Sequence, residues 1–109
     1  MYVGVITNGD GRMRQVLKDL EFPEELFGGE KDLVVISEEE GVEKPDRRIF
    51  EIGLKRIKLK YGQDVKGEES VHVGDEEESD FKGAVKAGWR GLLLGREVKT
   101  LSEVVDYIK

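Results

Sequence analysis

Ser70-Val71-His72-Val73-Gly74-Asp75-Glu76-Glu77-Glu78-Ser79-Asp80 is the stretch on which the fold turns. A short run with Val71 and Val73 alternating with polar residues, reading as a strand over 70–73, passes straight into a sharp acidic turn. From Asp80 onward Phe81, Ala84 and Val85 recur at helical spacing and are expected to point inward, until Gly88 interrupts the pattern. Gly88 lacks a Cβ and can turn left-handed, which ends that helix, and the stretch 89–94 reads as the next strand.

The same step recurs on the amino-terminal side. The stretch 2–7 reads as a buried strand that breaks at Thr7-Asn8-Gly9-Asp10, with Asp10 placed to cap a helix carrying Met13, Val16, Leu17 and Leu20. Phe22, Leu26 and Phe27 pack the connection, and Leu33, Val34, Val35 and Ile36 form a continuous apolar run suited to a central strand or one nearly so. The segment 38–46 reads as a polar loop. Pro45 fixes φ and Asp46 can cap free N–H groups, so a helix with Ile49, Phe50, Leu54 and Ile57 begins there and ends at Gly62. Thr100 and Glu103 form a capping box for a last helix bearing Leu101, Val104, Val105 and Ile108. Strands alternating with helices predict a three-layer α/β fold with a mostly parallel sheet.

At 109 residues the chain holds one core, so 1–109 is a single domain. Apolar residues make up 38% and arrive in periodic clusters, which argues for a globular chain despite 39% charged residues. A net charge of −6 disfavours nucleic acid and anionic membranes, whose affinity comes from Lys and Arg. The absence of cysteine excludes disulfides, thiolate metal sites and a Cys nucleophile. The opening apolar stretch lacks a basic lead and no run approaches membrane-spanning length, so a cytoplasmic protein is expected.

In a doubly wound sheet, ligands bind beyond the carboxyl ends of the strands. Thr7 and Asn8 follow the first strand, Lys44 lies in the second loop, and Gly74, Asp75 and Asp80 follow the third. A hydroxyl, an amine and two carboxylates on one rim suit phosphate together with a hard divalent cation. Each residue also has a plainer reading: Thr7 and Asn8 as turn residues, Lys44 as a solvated lysine, Asp75 as a cap, Asp80 as the N-cap of the Phe81 helix. The runs 38–40 and 76–78 read as solvated loops, His72 as a packed strand residue and Trp89 as core. Asn8-Gly9-Asp10-Gly11 does not match a phosphate-binding fingerprint.

Val3-Gly4-Val5-Ile6-Thr7-Asn8, Gly41-Val42-Glu43-Lys44-Pro45-Asp46, and Val71-His72-Val73-Gly74-Asp75 through Asp80 resemble, in order and spacing, the second, third and fourth motifs of haloacid dehalogenase-type phosphohydrolases. The resemblance covers nearly the whole chain and implies that family's Rossmann-like fold. It implies that Thr7, with Asn8 beside it, hydrogen-bonds a transferring phosphoryl group, that Lys44 neutralises it, and that Asp75 and Asp80 hold Mg²⁺ directly or through water. It also implies a first strand ending in two aspartates, nucleophile and general acid/base. No residue before Thr7 offers either, and the cap between the first two motifs is missing as well.

The expectation is therefore an incomplete core: the carboxy-terminal part of such a phosphatase-type hydrolase, truncated or half of a split enzyme, inactive alone because no aspartyl phosphate can form. In the family the missing strand lies between those ending at Thr7 and at Val73. Two open edges should close by pairing with each other, by exchange between copies in a homo-oligomer, or through a partner chain. Phosphate or a small phosphorylated metabolite is the expected ligand. The competing reading is a non-catalytic module that kept the fold and self-associates. A phosphoacceptor receiver domain fails on motif order, since receivers place their acidic cluster early and their lysine late.

Overall fold

The computed structural model describes residues 2–28 and 32–93. Strand β1 (Val5–Thr7) pairs in parallel with β2 (Val34–Ile36), and β3 (Val71–Gly74) pairs in parallel with β4 (Arg90–Leu93). Between the strands lie helix α1 (Arg12–Asp19), the short α2 (Ser37–Glu40), the long α3 (Arg47–Tyr61), and α4 (Gly83–Lys86).

Alternation along the strands sorts side chains to two faces. Val5, Val34 and Ile36 pack with Leu17 and Met13 of α1 and with Leu26 and Leu33. Ile6 and Val35 face the other way, against Ile49, Phe50 and Ala84 of α3 and α4. Helices thus cover both faces, giving the three-layer α/β arrangement. All three β2 residues are almost fully buried although β2 has one strand neighbour, because α1 and α3 sandwich it. The expectation that β2 is central holds for its burial and not for its pairing among the described residues.

The four strands form two separate two-stranded sheets, with no ladder between β1 and β3 among the described residues. Direct pairing of those strands, one of three expected ways to close the sheet, is not adopted. Helix α3 joins the halves instead. Phe50 meets the rings of His72 and Trp89 edge-on, at 5.1 and 5.3 Å. One turn on, Gly53 lies so close to β1 that an added Cβ would stand 3.1 Å from Ile6 Cδ1 and 3.9 Å from Trp89 Cη2.

Helix α3 is bounded as expected: the Asp46 side chain accepts from Arg48 N–H, and Gly62 takes φ 70° at the end. Gly88 adopts φ 85° after α4. Several expectations are corrected. Asp10 accepts from Arg12 N–H at 2.9 Å, but Gly11 is the residue at the helix boundary. The segment 38–46 is not all loop, since Ser37–Glu40 forms one helical turn closed by Gly41 at φ 76°. Asp80 does not start the next helix. A wide π-type turn begins at Glu77, with Phe81 N–H donating to Glu76 O five residues back at 3.2 Å. That shift of three residues rotates Val85 outward to 53% exposure, whereas Ala84 stays buried. Of the α1 stripe only Leu17 is buried, and Val16 and Leu20 are exposed. The capping-box helix after Thr100 and the end of the last strand at Leu94 lie outside the described residues.

Candidate active site

Three connections converge at the carboxyl ends of the strands. The turn after β1 is tied to the start of α2: Gly9 N–H donates to Ser37 Oγ at 2.9 Å, and Ser37 Oγ donates to Gly9 O at 3.1 Å. One residue earlier the Asn8 amide bonds Lys44 twice, accepting from its N–H at 2.8 Å and donating to its carbonyl at 3.1 Å. Lys44 is thereby fixed at its backbone and sends its side chain toward the third connection. There its ammonium forms a short ion pair with Asp80 Oδ1, the two side chains being 10% and 6% exposed.

Asp80 is held from three sides. Oδ1 accepts from Lys44 and lies 2.9 Å from His72 Nε2, and Oδ2 accepts from Glu76 N–H at 3.1 Å. The carboxylate sits directly against the Gly74 backbone, so a Cβ at that position would come within 2.1 Å of Asp80 Cγ. Burial pushes the Asp80 carboxyl up, but the hydrogen bonds from His72, Lys44 and Glu76 outweigh it and hold the group well below the usual carboxylate range. Asp80 is therefore an anion, with the Lys44 ammonium among its three donors. No buried side-chain polar atom among the described residues lacks a partner.

Of the residues singled out in the sequence, Asn8, Lys44 and Asp80 form one hydrogen-bonded chain. Thr7 adjoins it, half-buried, its hydroxyl making only a long 3.5 Å contact to Asn8 O. Asp75 lies beside Gly74 on the exposed side of the turn, outside that chain. Ser37 and His72 were not foreseen as parts of the site, and Gly74 was placed on its rim without the close approach to Asp80. A lone histidine in a buried strand is the signal that was available, because a buried imidazole needs a polar partner. A shallow concavity of about 590 Å³ opens nearby, lined by Gly9, Asp10, Ser37, Glu38, Gly41, Val42 and Glu43. Its three acidic side chains make it a poor receptor for an anion.

No three His, Asp or Glu side chains among the described residues are grouped to hold a metal ion. The donor chemistry still fits magnesium, which keeps several waters and takes one or two carboxylates plus substrate phosphate oxygens. Asp75 is the exposed carboxylate that could serve, and Asp80 retains lone pairs for a water.

The haloacid dehalogenase-like hydrolase family matches residues 2–88, and the chain belongs to that family. A glyceraldehyde 3-phosphate phosphatase of Methanopyrus kandleri is 49% identical over 80 residues, covering 68% of this chain and 32% of that protein. A pyrimidine 5'-nucleotidase of Escherichia coli is 37% identical over 86 residues, covering 79% of this chain and 34% of that protein. Among solved structures, a Bacillus subtilis HAD-hydrolase bound to magnesium superposes with a TM-score of 0.69 at 24% identity, over 95% of this chain and 47% of its own, a likeness of fold. A 2-haloacid dehalogenase of Pseudomonas syringae gives 0.54 at 27% identity, over 70% of this chain and 37% of its own. The chain thus spans about a third of the length of these two enzyme relatives. Among the described residues no helix is long and apolar enough to cross a membrane.

Proposed function

We propose that this chain supplies the phosphate and magnesium side of a phosphatase-type active site and hydrolyses nothing until a strand carrying the nucleophilic and acid/base aspartates is provided, from adjoining sequence or from another chain. The observation that carries this reading is the hydrogen-bonded chain from Asn8 through Lys44 to Asp80, which holds one ammonium at the carboxyl ends of the strands, where the segments resembling the second, third and fourth motifs meet. Lys44 neutralises the phosphoryl oxygens and the incoming carboxylate, and Thr7 donates its hydroxyl to the phosphoryl group. Asp75, with Asp80 through water, holds the cation. Magnesium, when bound, supplies electrostatic stabilisation of charge on the phosphoryl oxygens. The substrate is a small phosphorylated metabolite, in keeping with the phosphatase and nucleotidase among the relatives. The net charge of −6 supports a small ligand over a nucleic acid or a membrane surface, and a cytoplasmic setting suits such a substrate.

The test is complementation. The chain alone should leave an aryl phosphate intact with Mg²⁺ present. Addition of a peptide strand ending in two aspartates two residues apart should start turnover, and Lys44→Met should abolish that gain. Failure of the supplied strand to produce any turnover would refute the proposal.

The separation of the sheet into two halves favours a second reading, a non-catalytic module whose open strand edges join copies of the chain. It expects a dimer that persists on dilution and no effect of Mg²⁺ on the melting temperature. The site reading expects Mg²⁺ to raise it, by about 2.7 kcal/mol of stability at a hundredfold excess over Kd.

A further inference from the structure

Among the described residues, His72 is the one buried titratable side chain in contact with the site to which the reading above gives no task. It sits in β3 at 8% exposure, its ring edge-on to Phe50 at 5.1 Å and to Trp89 at 6.5 Å. Packing alone would be served as well by an aromatic hydrocarbon. What the imidazole adds is Nε2, 2.9 Å from the Asp80 oxygen that also receives Lys44. The three groups that hold Asp80 come from different parts of the molecule. Lys44 arrives from a loop, Glu76 N–H from the same turn as Asp80, and only His72 from the sheet.

We propose that His72 is a positioning residue: anchored in the sheet by aromatic packing, it fixes the Asp80 carboxylate, which in turn presents the Lys44 ammonium to the site. This rests on the reading of Lys44 as the phosphate-facing cation. A carboxylate can only accept, so Nε2 must carry a hydrogen, and a neutral ring has its lone pair on Nδ1. Without that donor Oδ1 keeps Lys44 as its single partner in an apolar surround. The carboxylate then turns toward water, and Lys44 goes with it.

The reactivity of Lys44 toward an acylating reagent, followed by peptide mass spectrometry on the unliganded chain, reads this directly, with exposed Lys55 and Lys86 as internal standards. In the unaltered protein Lys44 should label slowest of the three. His72→Phe should speed Lys44 labelling about tenfold, the weight of one charge-assisted hydrogen bond, while His72→Gln, whose amide can donate, should stay within about twofold. Unchanged labelling in His72→Phe, or equal release in both variants, overturns the proposal. Should the Phe variant not fold, the imidazole ¹⁵N spectrum of the unaltered chain at about pH 8, above the ordinary histidine range, decides: an Nε2–H tautomer supports it and Nδ1–H overturns it. Inorganic phosphate should separately protect Lys44 in the unaltered protein. Absence of protection with the variant pattern intact would refute the phosphate reading and leave the positioning role standing.

Discussion

The two halves of the sheet are held by different means. Around β1 and β2 the interior is mainly aliphatic, with Leu17, Leu26, Leu33, Val34 and Ile36 buried; its buried carboxylate, Asp32, is held by the Val34 N–H and by Arg14, a partly exposed side chain that also grips Glu39, and Arg56 grips Glu40. Around β3 and β4 the centre is a buried polar cluster, the Asp80–Lys44 ion pair with His72 bonded to it, walled by Phe50 and Trp89. Aliphatic packing tolerates changes of shape at constant volume, whereas a buried carboxylate needs every one of its donors. The half that carries the chemistry is therefore the half with the less forgiving interior, and α3 ties its geometry to the sturdier one.

The most severe way to break this comparison is to remove the tie. Phe50→Ala should cost about 3–5 kcal/mol; Phe50 meets Ile6 and Val35 as well as His72 and Trp89, but β1 and β2 keep the aliphatic cluster on their other face, so hydrogen exchange should rise first in β3 and β4. Equal loss of protection in β1 and β2 would mean that the halves are not distinct. Asp80→Asn keeps the shape and discards the charge, at about 2–3 kcal/mol in urea melts at neutral pH. The acid limb sharpens the point. The Asp80 carboxyl is held below its unfolded value of 3.8, so the folded chain binds fewer protons there; its contribution is complete above that value and is lost as pH falls through the folded value. The Asn variant should lack that component of acid destabilisation. Asp46→Ala removes the α3 cap and should cost about 1 kcal/mol by thermal melting. Leu20→Lys, on the exposed side of α1, should shift stability by no more than about 0.5 kcal/mol.

What could be seen in the sequence follows the range over which each feature is encoded. The run at 33–36, the Asp46 cap and the Gly62 stop are local signals, and each lies where it was expected. Asn8 bonding Lys44 and Lys44 pairing with Asp80 each span 36 residues, so composition and periodicity could nominate the participants without pairing them. His72 and Asp80 stand only eight apart, yet their contact depends on a wide turn whose i→i−5 bond no helical periodicity announces. The same turn explains why Asp80 is not a cap and why Val85 faces outward. Gly74 reads in sequence as a strand end; that no side chain fits there becomes visible once the Asp80 carboxylate is seen against its backbone.

The paired bonds between the Asn8 amide and the Lys44 peptide restrict what can stand at position 8. One atom gives and its neighbour takes, so the side chain mimics the edge of a strand for a single residue. Aspartate would match the outline yet meet the Lys44 carbonyl with a repelling oxygen, and glutamine would overshoot by one carbon. The span from β2 to α3 can accordingly drift in sequence, or change length, only where the peptide at position 44 still meets that side chain.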